Sequence, residues 1–225
     1  MERHFDEELA DLKKDLLDMG YLVERAIGNS VEALRTSSSQ KAQKVIIEDK
    51  VIDECELHID ERSLDLLALR QPMAVDLRFI AMTMKITTDL ERMADLAVDI
   101  AQRVLELQGA PLLKPLVDIP KLAVLAQDMV RGTLDAFVKG DVNLAKKLIL
   151  RDTEADALRN AVQNELINDY IVKDSSTTSR AVPLLLIARH LERICDHATN
   201  IAEDVIYMVE AKVVKHHPEK LKNNT

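Results

Sequence analysis

The 225-residue chain has no tryptophan and only three tyrosines and three phenylalanines. Sandwiches and barrels draw their strands from β-branched and aromatic residues, so this scarcity argues against both. Five glycines and six prolines leave few turns and favour long, uninterrupted helices. The two cysteines, Cys55 and Cys195, are too few for a disulfide framework and fit small core residues in a reducing compartment. No apolar run is long enough to span a bilayer, and "MERHFDEELADL" lacks the apolar centre of a secretion signal. The expectation is a soluble, cytoplasmic protein. Net charge is −9, with no basic stretch able to follow a phosphate backbone, so nucleic acid is excluded as a partner.

What is abundant is helical periodicity. Phe5, Leu9, Leu12, Leu16, Met19, Val23 and Ala26 recur at alternating spacings of four and three, one face of a packed helix over 5–34. "TSSSQ" interrupts it, and a second helix over 40–69 carries the seven-residue seam Val45, Ile52, Ile59 and Leu66. Pro72 suits the start of a third helix running to Leu107. "GAPLLKPLVDIP" (109–120) is the strongest linker signal in the chain. Three more helices are expected at 120–138, 141–172 and 178–214, followed by a polar tail.

The two halves repeat one another. Residues 90–104 set against 191–205 share eight of fifteen positions, and 42–53 set against 145–156 share five of twelve. Helical periodicity alone aligns apolar residues but has no reason to align acids, and here the acids align. The expected architecture is therefore all-α, two tandem pseudo-symmetric three-helix bundles. The first unit spans 1–110, the second 111–215, and the tail 216–225.

The aligned acids flank the apolar seam on the second and fifth helices and face away from it on the third and sixth. On the third helix Glu91, Asp95 and Asp99 recur every four residues, opposite the line Ile86, Leu90, Met93, Ala97 and Ile100. Glu192, Asp196 and Asn200 match them on the sixth helix. Asp49 and Asp53 on the second helix match Asp152 and Asp156 on the fifth. Like charges at this spacing destabilise an isolated helix. A solvated acidic ridge explains one such pair, but four pairs in register point to cation binding, and oxygen-only ligands suit hard or borderline ions. Catalytic sets are missing. There is no Glu-x-x-His for a di-iron bundle, no glycine-rich phosphate loop and no His-x-x-x-His. His197 beside Asp196 is the one hint of a protonatable group near the acids, and His216 and His217 fall in the tail.

"ALRQPMAVDLRFI", "DLERMADLAVDIA" and "HLERICDHATNIAED" closely resemble the PhoU family of bacterial phosphate-signalling proteins, in the family's order and over nearly the whole chain. The resemblance implies multinuclear metal sites, with iron, zinc, manganese or magnesium as candidate ions. By motif match the ligands are Asp49, Asp53, Glu91 and Asp95 in one half and Asp152, Asp156, Glu192 and Asp196 in the other. Asp99 and Asn200 occupy a further position that often carries Asn. The resemblance also implies negative regulation rather than catalysis. The protein would be an adaptor between the ATPase subunit of a phosphate ABC transporter and a membrane sensor histidine kinase, touching the membrane only through them; homodimerisation stays open. Two other classes stand beside this one, a metal-dependent hydrolase or oxidase and a metal-storing bundle. Arg70, Asp76 and Arg78, in a corner without a counterpart in the second half, suit a partner surface or local ion pairs equally.

Overall fold

The computed structural model describes residues 2–214; the expected tail, with His216 and His217, lies outside the described residues. Among those residues there are six α-helices and no strand: α1 Glu2–Arg35, α2 Ser39–Arg70, α3 Val75–Glu106, α4 Asp118–Lys139, α5 Val142–Glu165 and α6 Thr178–Glu210. They form two three-helix units, α1–α2–α3 and α4–α5–α6. Local chemistry marks several helix ends. The Ser38 hydroxyl accepts from the Lys41 amide at 3.3 Å and the Asp141 carboxylate accepts from the Leu144 amide at 2.9 Å, each satisfying a free donor of a first turn. Gly140, at φ 62°, closes α4 in the left-handed conformation that glycine adopts without a Cβ penalty.

The units join along α3 with α6 and along α1 with α4. That arrangement follows from how much of each helix is apolar. α3 buries thirteen of its 32 residues and α2 only six of its 32, so α3 is covered on several sides and α2 along one seam. α5 likewise buries only Ala145, Leu148, Ala155 and Val162, and is the outer helix of its unit. The inner faces, including Leu12, Leu16, Met19, Ile86, Leu90, Met93, Leu191, Ile194 and Ile201, are fully buried in one core shared by both units.

Cross-links show that α3 and α6 run antiparallel. Lys85 pairs with Asp204, His197 Nδ1 lies 2.8 Å from Asp89 Oδ1, and His190 Nδ1 lies 3.8 Å from Asp99 Oδ2. On α1, Gly20 permits close approach of α4: a Cβ there would lie 2.1 Å from Leu134 Cδ1. Arg131 pairs with Glu24, and Gln127 donates to the Glu24 carbonyl at 3.1 Å along the same seam.

Three expectations about helix ends are corrected. Pro72 lies in the turn before α3 rather than in its first turn, and Gln71 (φ 50°) and Ala74 (φ 48°) reverse the chain there. The fifth helix reaches Ile171 but keeps α geometry only to Glu165. It widens into a π-helical turn over Leu166–Ile171, where the Val172 amide reaches back five residues to the Ile167 carbonyl at 2.9 Å, and Leu166 is fully buried. A short 3₁₀ turn, Ser175–Thr177, then leads into α6. α6 itself ends at Glu210 instead of 214, because Ala211 enters the left-handed region at φ 54°.

Candidate metal centres

In the first unit α2 and α3 lie side by side and bring Asp49, Asp53, Glu91 and Asp95 within electrostatic reach of one another. Burial, then Asp53 and Asp95, pushes the Asp49 carboxyl up to about 6. Burial also leads for Glu91, raised to about 7, with Asp95, Glu56 and Asp53 adding to it and Arg92 opposing. Asp95 is raised by burial, Asp53 and Asp99, against a hydrogen bond from Glu91. The physical content is common to all three: a carboxylate partly withdrawn from water among other carboxylates prefers its proton.

Two acids missed in the sequence belong to this group. Glu56 is raised by burial and by Asp60, Asp53 and Asp95, and Asp60 by burial. Their spacing from Asp53 continues the same stripe down α2, and that periodicity was the available signal.

In the second unit α5 and α6 gather Asp152, Asp156, Glu192 and Asp196. Asp196 is raised to about 6 by burial, Glu192, Asp152 and Asp156, with His197 opposing. Asp152 is raised by burial and Asp156, while the Thr199 hydroxyl at 3.5 Å pulls the other way. Asn200 is half-buried on α6, and it is Thr199 rather than Asn200 that reaches an acid of α5. Asp99 couples to Asp95 and faces His190 across the unit boundary.

The two clusters differ in sign at one matched position. The residue three after Asp53 is Glu56, whereas the residue three after Asp156 is Arg159. Arg159 Nη2 donates to Asp156 at 3.2 Å and to Glu192 at 3.3 Å. The second cluster therefore carries a built-in cation, and the first collects a further acid instead. Asp60 is likewise matched by the neutral Gln163.

The donor chemistry of the first cluster, oxygen-only and short of compensating charge, fits a hard cation. Among the described residues, no three carboxylate, histidine or cysteine groups converge closely enough to hold an ion as the side chains stand. Ion binding there requires the carboxylates to turn inward. In the second cluster Arg159 must also be displaced.

Other residues singled out in the sequence have structural partners. His197 bonds Asp89 across the unit interface, and Arg70 grips Glu8 with two bonds of 2.6 and 2.8 Å. Arg78 Nε donates to the Met208 carbonyl at 2.9 Å. Both cysteines are free, and burial pushes the Cys195 thiol far up.

The sequence matches the PhoU domain twice, over residues 16–104 and 119–205. The chain belongs to the PhoU family. It is 38% identical over 92% of its length, and 87% of the relative's, to a phosphate-specific transport system accessory protein PhoU homolog of Zymomonas mobilis. It is 40% identical over 93% of its length, and 94% of the relative's, to the homolog so named in Aquifex aeolicus. Among solved structures, PhoU from Pseudomonas aeruginosa matches with a TM-score of 0.88 at 38% identity, covering 92% of this chain and all of that one. The phosphate transport system regulatory protein PhoU from Streptococcus pneumoniae matches with a TM-score of 0.87 at 30% identity, over 93% of this chain and 99% of that one. The family read from the motifs is the family found, and the all-α fold is the PhoU fold. Its members carry names of accessory and regulatory proteins, not of enzymes. Among the described residues no helix is long and apolar enough to cross a membrane.

Proposed function

We propose that this protein regulates phosphate transport, as a metal-binding adaptor that restrains both uptake and the phosphate-starvation response. The observation that carries the reading is the double PhoU-domain match together with relatives named for the phosphate-specific transport system. Its partners are the ATPase subunit of a phosphate ABC transporter and a membrane sensor histidine kinase, so it works in the cytoplasm. Asp49, Asp53, Glu91 and Asp95 would hold the ions of the first unit, and Asp152, Asp156, Glu192 and Asp196 those of the second. A bound cation would supply positive charge that ties two helices of a unit together. The chain's own contribution is a rigid pair of acidic bundles whose carboxylates stand ready to lose protons. For a switch, one input must favour one of two partner-bound states over the other; the nucleotide state of the transporter ATPase and metal occupancy are the two inputs this arrangement supports. The test is affinity capture of the tagged protein from its native membrane fraction at high and at low phosphate, with metal analysis of the captured material. Recovery of the transporter ATPase and the kinase, in amounts that change with phosphate, is the expected result. Capture of neither partner under both conditions refutes the adaptor role, and metal-free captured protein refutes the metal part separately.

A further inference from the structure

A hollow of about 700 Å³ opens between α5 with its π-helical turn and α6. Its size is that of a small-molecule pocket. Three guanidinium groups line it: Arg159 from α5, and Arg189 and Arg193 from consecutive turns of α6. Arg159 is engaged by Asp156 and Glu192. Arg189 and Arg193 are exposed, and neither meets a carboxylate within ion-pair distance among the described residues. Two unpaired arginines four residues apart on one helix repel each other. In a chain of net charge −9 that pairs arginines such as Arg62, Arg70, Arg103 and Arg131 with carboxylates, two unpaired arginines lining one cavity are available to an anion.

The rest of the hollow decides what kind of anion fits. Ile167, Leu185 and Leu186 give it apolar walls, with Leu185 one turn before Arg189 on the same stripe as Arg193. Gln163 adds a neutral hydrogen-bonding group. On the adjacent stripe of α6, Glu192 is held by Arg159, and Asp196 lies beyond Arg193. An anionic head is therefore placed between Arg189 and Arg193, with its body over the leucines and Asp196 at the far end of the same hollow. A monocarboxylate would neutralise one guanidinium; a phosphate monoester, as a dianion with three acceptor oxygens, matches two guanidinium forks at once.

We propose that this hollow is a binding site for a small organic phosphate monoester, its phosphate gripped by Arg189 and Arg193 and its apolar body lying on Ile167, Leu185 and Leu186. The first unit lacks the pair: Arg193 is matched by Arg92, but the positions matching Arg159, Arg189 and Gln163 are Glu56, Thr88 and Asp60, so one arginine there stands among added acids.

The test is calorimetric titration of the full chain, with chelator present to remove metal-mediated binding. The probes are phenyl phosphate, inorganic phosphate and benzoate. Phenyl phosphate is expected to bind saturably at one site per chain, and inorganic phosphate and benzoate each at least tenfold more weakly. The double variant Arg189→Gln/Arg193→Gln, with both side chains exposed, is expected to keep the wild-type melting curve and lose phenyl phosphate affinity at least tenfold. Arg25→Gln, far from the hollow, is expected to bind as wild type. If the double variant melts differently, single Arg193→Gln takes its place, with at least a threefold loss expected. No saturable binding by wild type, or unchanged affinity in the variants, overturns the site. Inorganic phosphate binding as tightly as phenyl phosphate overturns the role of the apolar walls, and benzoate doing so overturns the preference for a dianion.

Discussion

Replacing Asp95 with asparagine should make the metal-free protein more stable at neutral pH. Asp95 contributes to the raised carboxyls of Asp49, Glu91 and Glu56, so one substitution relieves three groups. The sign follows from proton counting. With Asp49 raised to about 6 and Glu91 to about 7, the native state holds more protons than the unfolded chain between the ordinary carboxylate range and about 7. Stability therefore falls as pH rises through that window, and above it the whole cost is carried. Burial is the leading cause for both groups and Asp95 a secondary one, so only part of each shift is recovered. After discounting for solvent screening at these half-exposed carboxylates, the gain is about 1 kcal/mol. For a chain of this length that raises the melting temperature by roughly 2–4 °C. The assay is thermal melting followed by circular dichroism, with chelator, above neutrality and again in the acidic range where Asp49 and Glu91 are protonated in both states. The advantage of Asp95→Asn should vanish in acid. Adding metal should raise the wild-type melting temperature more than the variant's, which keeps only the second unit's ligands, since binding to the native state stabilises by mass action. A variant that melts at or below wild type in chelator above neutrality would refute the reasoning, as would an advantage that is the same at both pH values.

Other perturbations test the rest of the molecule. Arg159→Ala removes the cation shared by Asp156 and Glu192, and should cost about 1 kcal/mol in chelator while making melting more responsive to added metal; an unchanged metal response would show that Arg159 does not compete with ions. Gly20→Ala should destabilise by about 1–3 kcal/mol, read from denaturant midpoints, because its methyl meets Leu134 and the α1–α4 seam must open. Asp89→Ala leaves the largely buried His197 without its partner and should cost about 1–3 kcal/mol in the same assay. Cys195 is fully buried with its thiol raised, so an alkylating reagent should modify the half-buried Cys55 first and reach Cys195 only with unfolding, as mass spectrometry of the peptides would show.

The helices were legible because each rests on a seam written in adjacent turns. The seams of α1 and α2 appear in the sequence with the periodicity that they have in the core, from Leu12 to Val23 and from Val45 to Leu66. The coupling of Asp49 and Asp53 with Glu91 and Asp95 was legible for a different reason: the repeat supplied a second copy against which to judge the acids. Arg159 and Glu56 stood in the same alignment, a few residues further on, where apolar matches thin out and the comparison stops attracting notice. What lay beyond sequence reasoning was set by contacts between distant helices. Nothing local requires the π-helical turn at Leu166–Ile171, and nothing local tells His197 that its partner is Asp89. The end of α6 at Ala211 and the turn at Gln71 and Ala74 place non-glycine residues in left-handed backbone, against the residue preferences that ordinarily mark such ends.

The antiparallel crossing of α3 and α6 places equivalent helices of the two repeats back to back, the arrangement of a two-fold symmetric dimer. In a true dimer every contact occurs twice, and no residue can change on one side alone. Here both sides belong to one polypeptide, so each contact is free to be unique. The bond between Asp89 and His197 shows it: the repeat-equivalent positions hold His190 and Leu96, which cannot reproduce it. Lys85 with Asp204 corresponds to Leu186 and Arg103, again without an equivalent pair. The same release from symmetry allows one end to gather Glu56 and Asp60 while the other carries Arg159 and Gln163. One chain thus presents an acid-rich face and an arginine-bearing face at matched positions on opposite units, so two unlike charged inputs can act on a single shared core.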